Sequence, residues 1–158
     1  MKRILFIATE SAPGMIPYTS SVINALSKSN EFEIYAVVVN SGKRSYRNYL
    51  KEVEHIEYIE YPRSKLLKLI YKIYPARIID TIKRTAKTHK IDAIHLLTGD
   101  FCLFFYILCQ HPKERLYYTV HDLNQHESDT MTFPGRLLHK YVIWLSLIHI
   151  SEPTRLQL

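Results

Sequence analysis

The sequence predicts an α/β fold, an open doubly wound parallel sheet with helices on both faces. Strand-like and helix-like stretches follow one another along the chain, the order that gives layered α/β domains. Several strand-like stretches are continuously apolar, which is what a parallel strand covered on both faces requires. The chain has 158 residues, 47% hydrophobic and 23% charged, enough for one ordinary core and too few for two full-sized domains.

"ILFIA", Ile4 to Ala8, is the first strand. After the loop "TESAPGMIPY", the stretch "TSSVINALSKS" places Val22, Ile23 and Leu26 on one helical face, behind Thr19 or Ser20 as a cap. "EFEIYAVVV" is a second strand, rich in β-branched and aromatic residues, that stops at the turn cluster Asn40-Ser41-Gly42. "HIEYIEYP" is a short third strand ended by Pro62. Helices are predicted over Ser64 to Tyr74 and Ala76 to His89, separated by Pro75, which cannot sit in a helix interior without losing a hydrogen bond. "DAIHLLT" and "RLYYTV" are the next strands, and between them Asp100 caps an apolar helix that runs through Cys109. A last amphipathic helix is expected from about Phe133 to Leu145, and the chain has no internal repeat or low-complexity linker.

A net charge of +6 and a pI near 9.3 point to an anionic partner: a phosphate-bearing small molecule, a membrane surface or a nucleic acid. Much of the charge lies between Arg63 and Lys90, where nine basic residues face one acid, Asp80. Within "SKLLKLIYKIY", Lys65, Lys68 and Lys72 share one helical face and Leu66, Leu69, Ile70 and Ile73 another. The basic face is either simply solvated or a contact for anionic lipid. No nucleic-acid-binding motif accompanies the charge, so nucleic acid is set aside. Cys102 and Cys109, on one helix, would be about 10.5 Å apart along its axis, beyond disulfide reach, and are expected to be reduced core residues of a cytosolic protein. The apolar run Ile4 to Ala8 is too short for a signal-peptide core, and the other apolar runs fall short of the roughly 20 residues that span a bilayer.

In doubly wound sheets, ligands bind outside the carboxyl ends of the strands. Two segments with titratable or phosphate-binding potential fall there. The first loop ends at a helix amino terminus, whose free N–H groups and dipole favour a phosphate or carboxylate; Glu10, Gly14 and Met15 are its substrate-binding candidates. With Gly14 as its one glycine, the loop lacks the G-x-G-x-x-G pattern of dinucleotide sites, and an ordinary strand-to-helix connection is the competing reading. Thr98 and Asp100, after "DAIHLL", are further substrate-binding candidates. The second segment is "YYTVHDLNQHE", in which Tyr117 to Val120 read as the end of a central strand and His121 and Asp122 as catalytic candidates facing a cleft. Against this stands a satisfied polar pair at a strand end. A metal site built from His121, Asp122, His126 and Glu127 is disfavoured, because strand alternation sends the first two to opposite faces and no metal-ligand spacing is present. No metal and no cofactor are expected.

With "KRILFIATE" opening the first strand, "IDAIHLLTGD" supplying a D-x-I-H strand and "LYYTVHDL" a T-x-H-D strand end, the chain resembles the amino-terminal, Rossmann-like domain of glycosyltransferases of the GT-B fold, closest to the retaining family 4. The resemblance covers Met1 to about Leu145. It implies a nucleotide-sugar donor held mainly by a carboxy-terminal domain and a glycan or glycolipid acceptor held mainly by this one. It also implies that His121 lines the cleft near the transferred sugar and that the Gly14 loop approaches the donor phosphates. The family's paired glycines are reduced here to Gly14, and its donor-side E-x7-E motif has no counterpart beyond Glu52 and Glu60, which sit in and before the third strand of the wrong domain.

"SLIHISEPTRLQL" has no counterpart in the family and resembles a translated sequencing adapter, so residues from about Ser146 onward are expected to be a foreign or disordered tail. The resulting reading is the acceptor-side half of a cell-surface-glycan glycosyltransferase, inactive without its second domain and cytoplasmic, with peripheral contact at the inner membrane face through Lys65, Lys68 and Lys72. The alternative is a non-catalytic α/β module that binds anionic ligands or membrane. Deleting Glu152 to Leu158 should leave the melting temperature nearly unchanged; a fall of several degrees, equivalent to about 1 kcal/mol in a domain of this size, would show that the tail packs as native structure.

Overall fold

Leu5, Phe6, Ile7 and Ala8 lie on the middle strand of a five-stranded sheet in the computed structural model. The structure describes residues 1–9, 15–40, 45–60, 62, 64–73, 75–97, 101–110, 114–119, 137, 140 and 141. Two units divide the chain, Met1–Thr119 and Val120–Leu158; in the second, Leu137, Lys140 and Tyr141 are helical, within the span predicted for the last helix.

The first unit runs β1 (Lys2–Thr9), α1 (Met15–Ser27), β2 (Phe32–Asn40), a 3-10 turn (Tyr46–Asn48), β3 (His55–Glu60), α2 (Lys65–Ile73), α3 (Ala76–His89), β4 (Ala93–Leu96), α4 (Phe101–Cys109) and β5 (Arg115–Tyr118). Every strand pairing is parallel and the strand order is β3-β2-β1-β4-β5. The doubly wound α/β fold expected from the sequence is the fold observed. Among the described residues, no helix is long and apolar enough to cross a membrane.

Strand alternation sorts the core into two layers. Leu5 and Ile7 of β1 and Tyr35, Val37 and Val39 of β2 pack with Ile78, Ile79, Ile82 and Ala86 of α3 and Leu103 and Ile107 of α4. Phe6 and Ala8, with Ile34, Ala36 and Val38, pack on the other face with Ile16 and Ile23 of α1 and with Tyr46. Both faces of β1 and β2 are therefore covered, and this is why their sequences are continuously apolar. Each fully buried Leu or Ile in these layers contributes on the order of 1.5–3 kcal/mol.

Three expectations need correction. Helix α1 begins at Met15, not behind Thr19 or Ser20. Pro17 is tolerated there because first-turn N–H groups have no intrahelical partner to lose. Thr19 is an interior residue whose hydroxyl donates back to the Met15 carbonyl at 2.8 Å. Strand β5 is an outer strand of the described sheet, not a central one. Its burial alternates, with Leu116 and Tyr118 against the core while Arg115 is exposed and Tyr117 is 49% exposed. The tyrosines of "RLYYTV" look apolar in a sequence window but suit a half-solvated strand. Cys109 is exposed, not a core residue. Among the described side chains of α4 the buried ones are Leu103 and Ile107, one turn apart, and Cys109 lies about 200° round the helix from Ile107. Leu66 and Ile70, on the face of α2 that spacing marks as apolar, are exposed to solvent.

Helix α3 ends at Lys90 in the left-handed conformation (φ 50°, ψ 56°), where the Lys90 N–H and the Ile91 N–H both reach the Ala86 carbonyl. A Cβ crowds the backbone in that conformation, and glycine avoids the cost. Lys90→Gly should therefore stabilise the unit by about 0.5–1 kcal/mol in a urea titration. A destabilised variant would contradict the strained cap.

Candidate functional site

From β1 the chain passes outward to β2 and then β3, and it returns across the sheet to add β4 and β5 on the opposite side of β1. The order thus reverses between β1 and β4. At such a switch point the loops leaving neighbouring strands diverge above and below the sheet and open a crevice at the carboxyl edge. Ile7 pairs with Leu96, and Leu96 with Tyr118, so β1, β4 and β5 reach that edge side by side. The ladder continues one residue beyond each short strand: the Leu97 N–H donates to the Ile7 carbonyl at 2.9 Å and the Thr119 N–H to the Leu96 carbonyl at 3.0 Å.

In sequence, the candidate site residues follow these three strands. Met15 is the first residue of α1 and is half-buried. Glu10, Gly14, Thr98, Asp100, His121 and Asp122 lie outside the described residues, as do His126 and Glu127. What the structure brings together is the set of residues bordering them, Thr9, Leu97 and Thr119, on three adjacent strands. Among the described residues, no three His, Cys, Asp or Glu side chains converge as a metal-binding group.

One polar contact at this edge was not foreseen from sequence. His95 Nε2 lies 2.8 Å from Thr119 Oγ1. His95 belongs to the D-x-I-H stretch and Thr119 opens the T-x-H-D stretch, so the hydrogen bond joins the two motifs across the β4–β5 pair. Alternation makes the contact possible: His95 pairs with Tyr117, and Thr119, two residues further on, returns to the same face. The His95 ring packs against Phe6, with centroids 5.3 Å apart, and lies 6.0 Å from the Tyr117 ring. Burial among these groups holds the imidazole below its ordinary pKa of 6.5, so it is neutral at pH 7. A neutral imidazole can either donate to Thr119 or accept from it, and in both cases it fixes the threonine rotamer at the root of the 120–122 segment.

A second polar network closes the carboxyl ends of β2 and β3. The buried Asn40 amide donates to Glu60 Oε1 at 3.2 Å and accepts from the Tyr46 N–H at 3.0 Å. Arg47 stacks over the Tyr58 ring at 4.2 Å and lies 4.0 Å from Glu60. Asn40 is thus more than a turn former. Its amide has partners at both ends, so it fixes the exit from β2 and offers a ligand little. Glu60 is occupied in this network, whereas Glu52 lies 3.7 Å from Lys28, so the E-x7-E spacing of these two residues does not form a shared site.

No family model matches the sequence, and no curated protein matches it.

The lowered pKa of His95 has a consequence for stability. As pH falls, the unfolded chain takes up this proton near 6.5 while the folded chain resists until lower pH. The contribution is therefore complete above about pH 6.5 and is lost as the solution is acidified below it. Glu33, held below the usual carboxylate range by hydrogen bonds from Tyr35 and Arg3, loses its contribution only in more acid solution, below 4.5. Urea midpoints measured between pH 7 and pH 5 should fall for the wild type and fall less for His95→Gln. Equal slopes for the two proteins would show that His95 is not the group titrating.

Proposed function

We propose that this chain is the acceptor-side half of a retaining glycosyltransferase, which moves a sugar from a nucleotide-sugar donor to a cell-surface glycan or glycolipid. The observation that carries the reading is the His95–Thr119 hydrogen bond, which ties the D-x-I-H strand to the T-x-H-D strand beside the switch point of a doubly wound sheet. Those are the two internal stretches on which the resemblance to family 4 rests.

In the transfer, the bond between the anomeric carbon and the donor diphosphate breaks, a bond to an acceptor hydroxyl oxygen forms on the same face of the sugar, and the hydroxyl proton passes to the departing diphosphate. Negative charge grows on the departing diphosphate while positive charge grows on the sugar. Preorganised dipoles and polar groups aimed at those charges lower the barrier. His121, two residues beyond the anchored Thr119, would stabilise the charge and position the sugar, and Asp122 would orient its segment. Glu10, Gly14 and Met15 would meet substrate from the loop after β1, and Thr98 and Asp100 from the loop after β4. The first N–H groups of α1 suit a phosphate. The donor would be held mainly by a second, carboxy-terminal domain. Lys65, Lys68 and Lys72 would draw the enzyme to anionic lipid at the cytoplasmic face of the membrane, where a lipid-linked acceptor is found.

The test uses the chain joined to a carboxy-terminal donor-binding domain of the GT-B fold. His121→Ala should lower turnover by about 10²-fold or more with folding intact, the loss expected for a positioned charge-stabilising group. Asp122→Ala should have a smaller effect. Normal turnover in His121→Ala, or a loss explained by unfolding, would remove the catalytic assignment. A genuine stop codon in place of a second domain would favour the non-catalytic binding module.

A further inference from the structure

We infer that helix α2 enters an anionic lipid bilayer through an apolar ridge made by Leu66, Leu67 and Ile70. The inference deepens the lipid contact proposed above, which assigned attraction to three lysines, by naming the side chains that insert. Leu66 is 67% exposed, and Leu67 and Ile70 are each 52% exposed. At spacings of one, three and four residues the three side chains adjoin on the helix surface and form one patch. An amphipathic surface helix of a globular protein turns its apolar arc to the core. In α2, Tyr71 is packed against the core and the aliphatic ridge looks outward.

Charge identifies the occupant. Lys65 is exposed at the start of the helix, Lys68 and Lys72 follow it at helical spacing, and the stretch from Arg63 to Lys90 carries nine basic residues against Asp80. By spacing the lysines lie across the helix from the ridge, and an outward apolar ridge with a basic opposite face is the pattern of helices that lie in the headgroup region of anionic membranes, with their apolar side roughly 5–10 Å deep. A protein partner fits less well. Three partly exposed aliphatic side chains offer under about 500 Å², against roughly 800 Å² on each side of a stable protein interface. A fluid bilayer needs no such area, because hydrophobic insertion and electrostatic attraction act together.

The full chain would be mixed with vesicles of phosphatidylcholine alone and of phosphatidylcholine with phosphatidylglycerol, and bound protein separated by flotation. Binding should appear with the anionic vesicles, weaken with salt, and fall about tenfold for each of Leu66→Ser and Ile70→Ser. These side chains are exposed, so the substitutions leave folding intact. In a Trp144→Phe background, Leu67→Trp should shift its emission to the blue on anionic vesicles and be quenched by lipids brominated on the acyl chains. Serine variants that bind like the wild type, with an unquenched tryptophan, would leave an electrostatic contact and overturn insertion. Absence of binding to any vesicle would remove the lipid contact as a whole. Concentration-dependent self-association abolished by Leu66→Ser would assign the ridge to a second copy instead. None of these outcomes bears on the sugar-transfer proposal, which the His121→Ala turnover measurement tests separately.

Discussion

Burial of β1 on both faces and along both edges is the constraint on which the rest of the unit depends. Leu5, Phe6, Ile7 and Ala8 are each at most 1% exposed, and the strand is hydrogen-bonded to β2 on one side and β4 on the other. A strand so placed cannot carry polar side chains at these positions without leaving them buried, so its composition follows from its place in the sheet. The two core layers lie on opposite faces of the sheet, and β1 and β2 send alternate residues to α3 and α4 or to α1. With β1 central, the switch in strand order falls beside it, between β1 and β4.

The two edges of the sheet are held in different ways. At the amino edge Arg3 acts as a hub: its side chain donates to Glu33 at 2.9 Å and to the His89 carbonyl at 3.1 Å, while its backbone N–H donates to the Asp92 carboxylate at 2.8 Å. These bonds tie β1 to β2, to the end of α3 and to the start of β4, and Tyr35 adds a hydrogen bond to Glu33. At the carboxyl edge the Asn40 network closes β2 and β3, and the His95–Thr119 bond closes β4 and β5. The amino edge is charged and multiply linked. The carboxyl edge is held by two separate contacts, the Asn40–Glu60–Arg47 network on β2 and β3 and the neutral His95–Thr119 pair on β4 and β5.

How much of this was legible in the sequence depends on the type of signal. Continuous apolar runs such as Ile4 to Ala8 and Ile34 to Val39 mark buried parallel strands because they are short and, in β2, rich in β-branched residues, whereas the longer apolar run Phe101 to Cys109 is a helix. Helical spacing locates the faces of α2, yet it cannot say which of them meets the core, and the outward turn of Leu66 and Ile70 required the tertiary structure. Pro17 concealed the start of α1, since a proline in a first turn and a proline in a loop look alike locally. Tyr117 overstated the burial of β5. The His95–Thr119 contact depends on the register of two strands 24 residues apart, which no local periodicity encodes; alternation within "DAIHLL" does set His95 opposite to Ile94 and Leu96 and was the available clue. Of the residues singled out for chemistry, Met15 lies within the described structure, at the amino terminus of the helix that the first loop was expected to lead into.

Site-resolved amide hydrogen exchange tests the central role of β1 most directly. Amides of Leu5 to Ala8, buried within the sheet, should exchange only by global unfolding, with an exchange free energy equal to that from urea denaturation. Amides of β3, an outer strand whose side chains from His55 to Tyr58 are exposed or half-buried, should open locally at lower free energy. Exchange of the β1 amides as fast as that of β3, well below the global value, would contradict a fold organised around β1.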